Sequence, residues 1–312
     1  MSGYRSREYA ESFVEFGTVE SLANSGGFFL RREIPEDGSS DGMSCYPLLD
    51  CRDWSGLSAD IQLLEGKLVS LTAVVSPFAA ISSEELHRCF PDLARPFKDH
   101  YLVEYQAKES LGASPDRIVS RHHRYYAKRA LRELEVHPVE NPVTMLDDWI
   151  GLYGHLIQRH KLSGFHAFSP LAFHRQLLAP GMVAFRAMRG TSTVAAHLWY
   201  HDGDVAYSHL FAANEAGYET NAAYALYWHA MHHFVGKARW LNLGGAAGAG
   251  NTKGGLDFFK RGWSNLVRPA LLCGRILDTE KYQRLCRRRS VELLDYFPAY
   301  RQGELAGRRL AG

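Results

Sequence analysis

Cysteines, net charge and long apolar runs are all scarce in this sequence, and each shortage excludes a class of protein. The 312 residues include five scattered cysteines that form no Cys-x-x-Cys pair. Neither a zinc ribbon nor a disulfide framework is indicated, so we expect reduced thiols. The chain has no run of about eighteen apolar residues, and its N-terminus is polar, which predicts a soluble, cytoplasmic protein without membrane insertion.

The formal net charge is only +2, from 36 lysines and arginines against 34 acidic residues. A global charge this small does not attract a polyanion, so any binding of nucleic acid must come from local clusters. Hydrophobic residues make up 46% of the chain, enough for one large core or two smaller ones. The length therefore fits two domains.

Nucleotide-binding motifs are missing, although residues 244–255 contain six glycines. Lys253 is followed by glycine where a P-loop needs serine or threonine, and the third glycine of a dinucleotide fingerprint is absent. So many glycines exceed what turns alone require. The segment is interpreted as a loop that approaches a ligand, a mobile lid or an ordinary surface loop, with Lys260 just beyond it.

Established catalytic motifs are missing too. His229, His232 and His233 have a helical spacing suited to zinc, but the glutamate of a metalloprotease helix is absent between them. The sequence also lacks a Gly-x-Ser-x-Gly nucleophile elbow. We therefore expect no metal.

The C-terminal half alternates between strand and helix patterns. His201-Asp202-Gly203-Asp204 is a hairpin signal between two apolar segments, and Asn221 is placed to cap a long helix. This order of elements indicates an α+β fold. The predicted elements are strands at 182–188, 194–200, 205–212, 240–243 and 267–277 and helices at 221–235 and 256–261.

A cluster of basic residues precedes these elements. Ser114-Pro115 starts a predicted helix over 115–134, with proline in its first turn. The cations recur at helical spacing and form one basic stripe that can contact phosphates, with a solvated face of a linker helix as the alternative. The stripe consists of Arg117, Arg121, Arg124, Lys128 and Arg132.

The N-terminal half contains strand patterns but no catalytic motif. Residues 36–42 are predicted to form a surface loop, and the boundary between the halves is placed at 111–115. The resulting domains are 1–113 and 114–312, the second beginning with the basic linker helix 115–134. The predicted elements are strands at 27–33, 43–51, 68–76 and 101–106 and a helix at 83–89 opened by Ser82.

Several patterns of the C-terminal half occur together and in order. They are Phe211-Ala212-Ala213-Asn214-Glu215, the helix opening at 221–228, Leu243-Gly244-Gly245, and residues 256–260 before Gly262-Trp263. With the arginine-rich helix upstream, this order resembles the FemAB-like branch of the GNAT acyltransferase superfamily, from about residue 117 to 277. The resemblance implies tandem GNAT-like domains with mixed, mostly antiparallel sheets flanked by helices, the N-terminal unit being degenerate.

The resemblance implies a reaction as well as a fold. FemAB-like enzymes move an aminoacyl group from aminoacyl-tRNA to an amine and form an amide bond, without a cofactor. Lys260 matches the family lysine that steadies the donor or the oxyanion as a cation, and His209 is a second catalytic candidate, as proton acceptor. The basic stripe is expected to contact tRNA. The residues expected to bind the donor are Asn214, Asn221, Tyr224, Gly244, Gly245 and Phe259.

Two features bear on the substrates. GNAT proteins that use coenzyme A hold its diphosphate with a loop of the form Gln/Arg-x-x-Gly-x-Gly/Ala. The equivalent stretch, 214–219, keeps one glycine and contains Glu215 and Glu219, which disfavours coenzyme A. No long heptad run is present, so the coiled-coil arm of cell-wall FemA enzymes is missing. A compact monomer acting on a small peptide, nucleoside or cell-wall-precursor amine is expected.

Two alternatives stay open at this point. The first is an acyl-CoA-dependent GNAT N-acyltransferase, which has the same chemistry with a thioester as donor. The second is a non-catalytic RNA-binding module that keeps the fold and the basic stripe.

Overall fold

The structure is a computed structural model that describes residues 3–105, 114–162, 164, 167–245, 254–289, 291 and 296–304. Residues 246–253, with Lys253 and much of the glycine-rich segment, lie outside the described residues. Residues 111–113 of the predicted boundary lie outside them as well.

The strand predictions for residues 182–212 and 27–33 are confirmed, whereas β5 begins eight residues before the predicted start at Tyr101. The described strands are β1 (Thr18–Leu22), β2 (Gly27–Glu33), β3 (Ser40–Ser44), β4 (Ser70–Val75), β5 (Leu93–Glu104), β6 (Glu135–Val139), β7 (Met182–Arg189), β8 (Ser192–Asp202), β9 (Val205–Ala213), β10 (Trp240–Asn242) and β11 (Leu266–Ile276).

Helix starts follow local capping chemistry. Ser82 and Glu85 form a reciprocal capping box, and Ser169 caps the helix that begins at Pro170. The described helices are α1 (Arg7–Glu11), α2 (Leu57–Gln62), α3 (Ser83–Cys89), α4 (Pro115–Ile118), α5 (Arg121–Ala130), α6 (Leu146–His160), α7 (Pro170–Leu178), α8 (Glu215–Glu219), α9 (Ala222–His233), α10 (Gly255–Arg261) and α11 (Thr279–Arg288).

The described strands form a single sheet in the order β1-β2-β3-β4-β11-β5-β10-β9-β8-β7-β6. Neighbours are antiparallel except for β3 with β4 and β9 with β10, which are parallel. The α+β class with a mostly antiparallel sheet is therefore confirmed. Because β11 lies between β4 and β5, a strand from the C-terminal half completes the N-terminal part of the sheet. The domain boundary at 113/114 stays a prediction.

Helices cover both faces of the C-terminal part of the sheet. On the first face, α5 and α9 bury Trp199, Phe234 and Trp263. On the second face, α1, α6 and α7 bury Trp149 and Tyr200. Burying one large apolar side chain stabilises the fold by about 1.5–3 kcal/mol, so packing on both faces holds β8, β9 and β10 firmly in place.

The helix predicted over 115–134 is two helices in the structure. α4 ends at Ile118, and Val119 is extended, with a ψ of 132° and a buried side chain. Ser120 then caps α5 by accepting a hydrogen bond from the His123 amide. Because this break separates Arg117 from Arg121, and α5 ends before Arg132, the five cations do not share one helical face.

Part of the loop predicted at 36–42 is strand β3. Asp41 is buried, and its carboxylate accepts hydrogen bonds from Arg301 at 2.8 and 3.0 Å. Arg284 pairs with Asp37 at 3.2 Å, and Arg289 pairs with Glu36. Arginines far away in the sequence thus pair with the carboxylates of this segment. A local sequence pattern does not reveal these ion pairs.

Candidate active site

β9 and β10 pair only briefly, and a gap in the sheet follows. Their parallel pairing covers Val205–Tyr207 and Trp240–Asn242. Beyond it, β9 continues beside β8, whereas β10 ends. We call the space between residues 208–213 and residues 243–245 the β9–β10 gap. In the part of the chain that the structure describes, no strand pairs with this edge of β9 beyond Tyr207, and unpaired backbone groups at a sheet edge can bind a ligand.

A β-bulge in β9 lies beside the gap. Leu198 pairs with Leu210, but Trp199 pairs with Ser208, so His209 is an extra residue that has no pairing partner on β8. A bulge bends its strand and re-aims side chains, and bulges are frequent next to active sites. The sequence pattern of the hairpin does not reveal it.

Lys260 contacts the β10 side of the gap. Its Nζ donates a hydrogen bond to the Gly245 carbonyl at 2.6 Å. Gly244 has a φ of +75°, and a Cβ at that position would lie 3.1 Å from the same Nζ. A Cβ at Gly245 would lie 3.1 Å from the Asp99 carbonyl. The two glycines therefore let the backbone approach both the lysine and β5 closely.

The environment of Lys260 favours the neutral amine. Burial, and then repulsion by Lys98, lower the Lys260 pKa from 10.5 to about 7. An amine with a pKa near neutrality can both accept and donate a proton at physiological pH, as general acid–base catalysis requires. The structure thus favours Lys260 as a group that accepts and donates a proton, whereas the sequence suggested a lysine that stays positively charged.

An aromatic wall joins α10 to α9. The Phe259 ring packs edge-on against Tyr224 and Tyr227, with both centroid distances at 4.9 Å. Tyr227 and Trp263 continue the wall at 5.7 Å. Two of the predicted donor-binding residues, Tyr224 and Phe259, therefore lie together, in the helix layer that carries Lys260.

His123, to which the sequence assigns no role, connects α5 to this wall. Its Nε2 donates to the Phe259 carbonyl at 2.9 Å, and its Nδ1 accepts from the Ser120 hydroxyl at 2.8 Å. Burial lowers the pKa of His123 to about 4, so the ring is neutral and the two bonds fix its tautomer. A Cβ at Gly262 would lie 2.0 Å from the ring, so this glycine makes room for it.

A buried polar pair between β5 and the last residue of β10 is also absent from the sequence predictions. Nδ1 of His100 lies 3.0 Å from Oδ1 of Asn242, and the Gly244 amide donates to the same oxygen at 2.9 Å. Burial, and then the charges of Lys260 and Lys98, lower the His100 pKa to about 4. Strand pairing brings residues 142 positions apart together here, which no local motif signals.

A second polar network crosses the first face of the sheet. Nε2 of His197 lies 2.8 Å from the Ser208 hydroxyl, which lies 3.1 Å from the Tyr227 hydroxyl. The His197 ring stacks on Tyr227 at 4.5 Å. Burial is the main cause of the lowered pKa of His197, and the nearby charge of Lys260 lowers it further, so this ring is neutral.

Residues 121–261 match the family model of an acetyltransferase (GNAT) domain. This part of the chain, 141 of its 312 residues, is therefore similar to a GNAT domain. The match covers α5, the hairpin of β8 and β9, α9, β10 and α10, which are the elements that surround the β9–β10 gap.

Solved structures resemble nearly the whole chain. FemX has a TM-score of 0.65 at 12% identity, covering 89% of this chain and 93% of its own. The C-terminal domain of a protein assigned as a lysylphosphatidylglycerol synthetase from Agrobacterium fabrum has a TM-score of 0.60 at 16% identity, covering 90% and 93%. L-PGS from Bacillus licheniformis has a TM-score of 0.53 at 14% identity, and the match covers 88% of this chain and 93% of L-PGS. The resemblance to the FemAB-like branch is thus confirmed for the fold. No curated protein matches the sequence.

His209 faces away from the aromatic wall. It lies on the second face among Tyr4, Tyr9 and Tyr200. Its Nδ1 lies 3.3 Å from the Tyr4 hydroxyl and its Nε2 lies 3.2 Å from Oε1 of Gln176. Burial lowers the His209 pKa to about 3. With both nitrogens engaged, this ring is poorly suited to accept a proton.

Asn214 and Asn221 lie at the starts of α8 and α9. Oδ1 of Asn214 accepts a hydrogen bond from the Gly217 amide at 3.0 Å. Asn221 has a left-handed φ of 59° and makes no capping bond, which corrects the prediction that its side chain caps α9. Its side chain instead donates to the Glu219 carbonyl at 3.4 Å. The role of both residues in donor binding stays a prediction.

The predicted tRNA-binding residues lie on three separate segments. Arg121 and Lys128 are exposed on α5, Arg117 is exposed on α4, and Arg132 is exposed in the turn after α5. Arg124 is partly covered and donates to the Asp116 carbonyl at 2.6 Å. All five face solvent to some degree, and their contact with tRNA stays a prediction.

Two further expectations concern metals and membranes. In the described ranges, no group of three or more His, Cys, Asp or Glu side chains is arranged to hold a metal ion. No described helix combines the length and the apolar character that crossing a bilayer requires. The described cysteines are free thiols and all five are buried.

Proposed function

We propose that this chain is an acyltransferase that moves an aminoacyl group from aminoacyl-tRNA to an amine of a small peptide, nucleoside or cell-wall precursor. One observation favours this donor over coenzyme A. In GNAT enzymes that use coenzyme A, amides after the fourth strand hold the diphosphate. Here the corresponding amide of Gly217 is already bonded to Asn214 within the same turn.

The same turn has other features that oppose a diphosphate. A Cβ at Gly217 would lie 2.3 Å from the Val194 carbonyl, so this glycine serves close packing on β8 and not the approach of a ligand. Glu215 and Glu219 are exposed beside it and would repel phosphate. An ester donor without a diphosphate at this position fits the turn better.

The reaction needs one proton carrier and no covalent intermediate. The acceptor amine attacks the ester carbonyl, a C–N bond forms, and the C–O bond to the tRNA ribose breaks. The amine loses one proton and the released ribose hydroxyl gains one. Lys260, neutral in part at pH 7 because its pKa is lowered to about 7, takes the first proton and supplies the second.

A donor-competition assay tests this proposal. The purified chain is incubated with a pool of charged tRNAs, or with acetyl-CoA, together with lysine-containing peptides as amine acceptors. We expect deacylation of tRNA that depends on the peptide and yields an aminoacylated peptide. Rapid thiol release from acetyl-CoA without deacylation of tRNA would contradict the proposal.

Acetyl-CoA is the second candidate donor because the matched family model describes an acetyltransferase. The same assay separates a third function, a non-catalytic RNA-binding module. Such a module would bind tRNA and leave both donors intact.

A further inference from the structure

The carboxamide of Asn242 has a fixed orientation. The Gly244 amide can only donate, so the Asn242 atom that lies 2.9 Å from it is the oxygen Oδ1. The same oxygen lies 3.0 Å from Nδ1 of His100, which therefore carries the ring hydrogen and donates it. Two donors thus converge on Oδ1, and both hydrogens of Nδ2 point elsewhere.

Nδ2 of Asn242 has no hydrogen-bond partner among the described residues, although the side chain is 2% exposed. A buried donor without a partner is unfavourable, and native proteins retain few of them. Asn242 is the last residue of β10, at the start of the β9–β10 gap. An unpaired, immobilised donor at this position indicates a ligand that accepts a hydrogen bond.

The groups around this donor indicate the charge of that ligand. Gly244, whose amide holds Asn242, also lies against Nζ of Lys260, since a Cβ there would be 3.1 Å away. Lys260 and Lys98 are both close enough to lower the pKa of His100. Hydrogen-bond donors therefore lie around the position, and Lys260 adds a positive charge whenever it is protonated. Such a set suits an oxygen that becomes negative during the reaction.

We propose that Asn242 is a catalytic residue whose Nδ2 donates a hydrogen bond to the carbonyl oxygen of the acyl group during transfer. His100 is a positioning residue that holds the carboxamide. The inference rests on the proposed acyl transfer but not on the identity of the donor, because an ester and a thioester present the same carbonyl oxygen.

The step leaves Asn242 unchanged. When the amine attacks, the C–N bond forms and the carbonyl π electrons move to the oxygen, which Nδ2 then stabilises. When the oxyanion collapses, the bond to the donor's oxygen or sulfur breaks. The proton lost by the amine ends on that leaving group.

Two substitutions of Asn242 test the proposal with whichever donor the wild type uses, charged tRNA or acetyl-CoA. Asn242→Ala removes the donor, and Asn242→Asp keeps an oxygen for His100 and Gly244 while removing both N–H groups. We expect kcat to fall about a hundredfold in each, with KM within about threefold, as for loss of one oxyanion donor. A carboxylate also repels the oxyanion, so the aspartate variant is expected to lose at least as much.

Asn265→Ala is the matched control. Its Oδ1 accepts from the Glu104 amide at 2.9 Å, and its Nδ2 donates to the Glu104 carbonyl at 3.1 Å, so its side chain is fully used on β5. We expect its kcat to match the wild type. Thermal unfolding of each variant confirms that it is folded, and Asn242→Asp supplies the result if the alanine variant does not fold.

The outcomes separate this inference from the proposed donor. A folded Asn242 variant with kcat within twofold of wild type overturns the inference, and so does a tenfold rise in KM with kcat retained. If the wild type uses acetyl-CoA but not charged tRNA, the proposed donor is wrong and the Asn242 variants are measured with acetyl-CoA. A wild type inert toward both donors overturns both proposals.

Discussion

Lys260 and His209 belong to the two sides of one gap, yet their surroundings give them opposite properties. Lys260 bonds one carbonyl through Nζ, and its pKa lies near 7. His209 has Tyr4 and Gln176 at its two ring nitrogens, and burial lowers its pKa to about 3. Environments that push two pKa values apart assign acid–base roles. Burial and hydrogen bonding around each group therefore favour Lys260 over His209 as the proton carrier of the proposed reaction.

Replacing Lys260 is expected to have the largest effect on catalysis. Lys260→Met keeps the apolar stem and removes the amine, so kcat should fall on the order of a hundredfold with little change in KM. Lys237→Met, which removes an exposed lysine, is the control and should retain wild-type turnover. Intact turnover with a KM for the donor raised tenfold would make Lys260 a donor-binding residue.

The same variant should not be less stable than the wild type. Because the folded pKa of Lys260 is lowered, the unfolded chain binds that proton more tightly. The lysine therefore opposes folding below about pH 7, and this opposition fades as pH rises from 7 toward 10.5. We expect Lys260→Met to unfold at the same or a higher temperature than wild type at pH 6, measured by calorimetry.

The basic surface of α5 allows RNA binding to be tested separately from the chemistry at the β9–β10 gap. Reversing two exposed cations, Arg121→Glu with Lys128→Glu, should weaken tRNA binding, and it should reduce the slope of log K against log salt by about two. Turnover at saturating donor should change much less. Lys67→Glu with Arg287→Glu makes the same charge change elsewhere and should leave the slope unaltered.

An unchanged salt slope in the α5 variant would place the tRNA contact on another surface. In that case α5 is a solvated face, which is the alternative that the sequence left open. Unfolding temperatures of both double variants should stay close to wild type, because the substituted side chains are exposed.

His209 should show the smallest catalytic effect. His209→Ala leaves the Tyr4 hydroxyl and the Gln176 side chain without this partner, which should cost about 1–3 kcal/mol of stability. We expect kcat to stay within about threefold at a temperature where the variant is folded. A hundredfold loss of kcat with an unchanged denaturation midpoint would reverse the assignment of roles.

Local patterns were sufficient for much of the fold. The turn signal at 201–204 between two apolar segments predicted the hairpin of β8 and β9. The glycine-rich loop was expected to approach a ligand or to be a lid or a surface loop, whereas Gly244 and Gly245 lie close to Lys260 and β5. The hairpin depends on residues near one another in the chain. The same holds for α3, which begins after Ser82 as predicted and is capped there by Ser82 and Glu85.

The remaining parts of the site depend on contacts between distant segments. Asn242 meets His100 only because β10 pairs with β5, and His123 reaches Phe259 only because α5 packs beside α10. The bulge at His209 is a shift in the pairing of β8 with β9, which no local sequence motif signals. Likewise, the break before α5 arises because burial of Val119 and the Ser120 cap outweigh the helical spacing of the cations.

The proposed chemistry depends on a Lys260 pKa near 7, and NMR titration of side-chain-labelled lysines measures this pKa directly. We predict one resonance that titrates near pH 7 in the wild type and is missing in Lys260→Met, and a kcat/KM that rises with pH to a plateau above 7, because the neutral amine accepts the proton. A Lys260 resonance that titrates near the ordinary value of 10.5, with kcat/KM falling as pH rises through 7, would contradict the account.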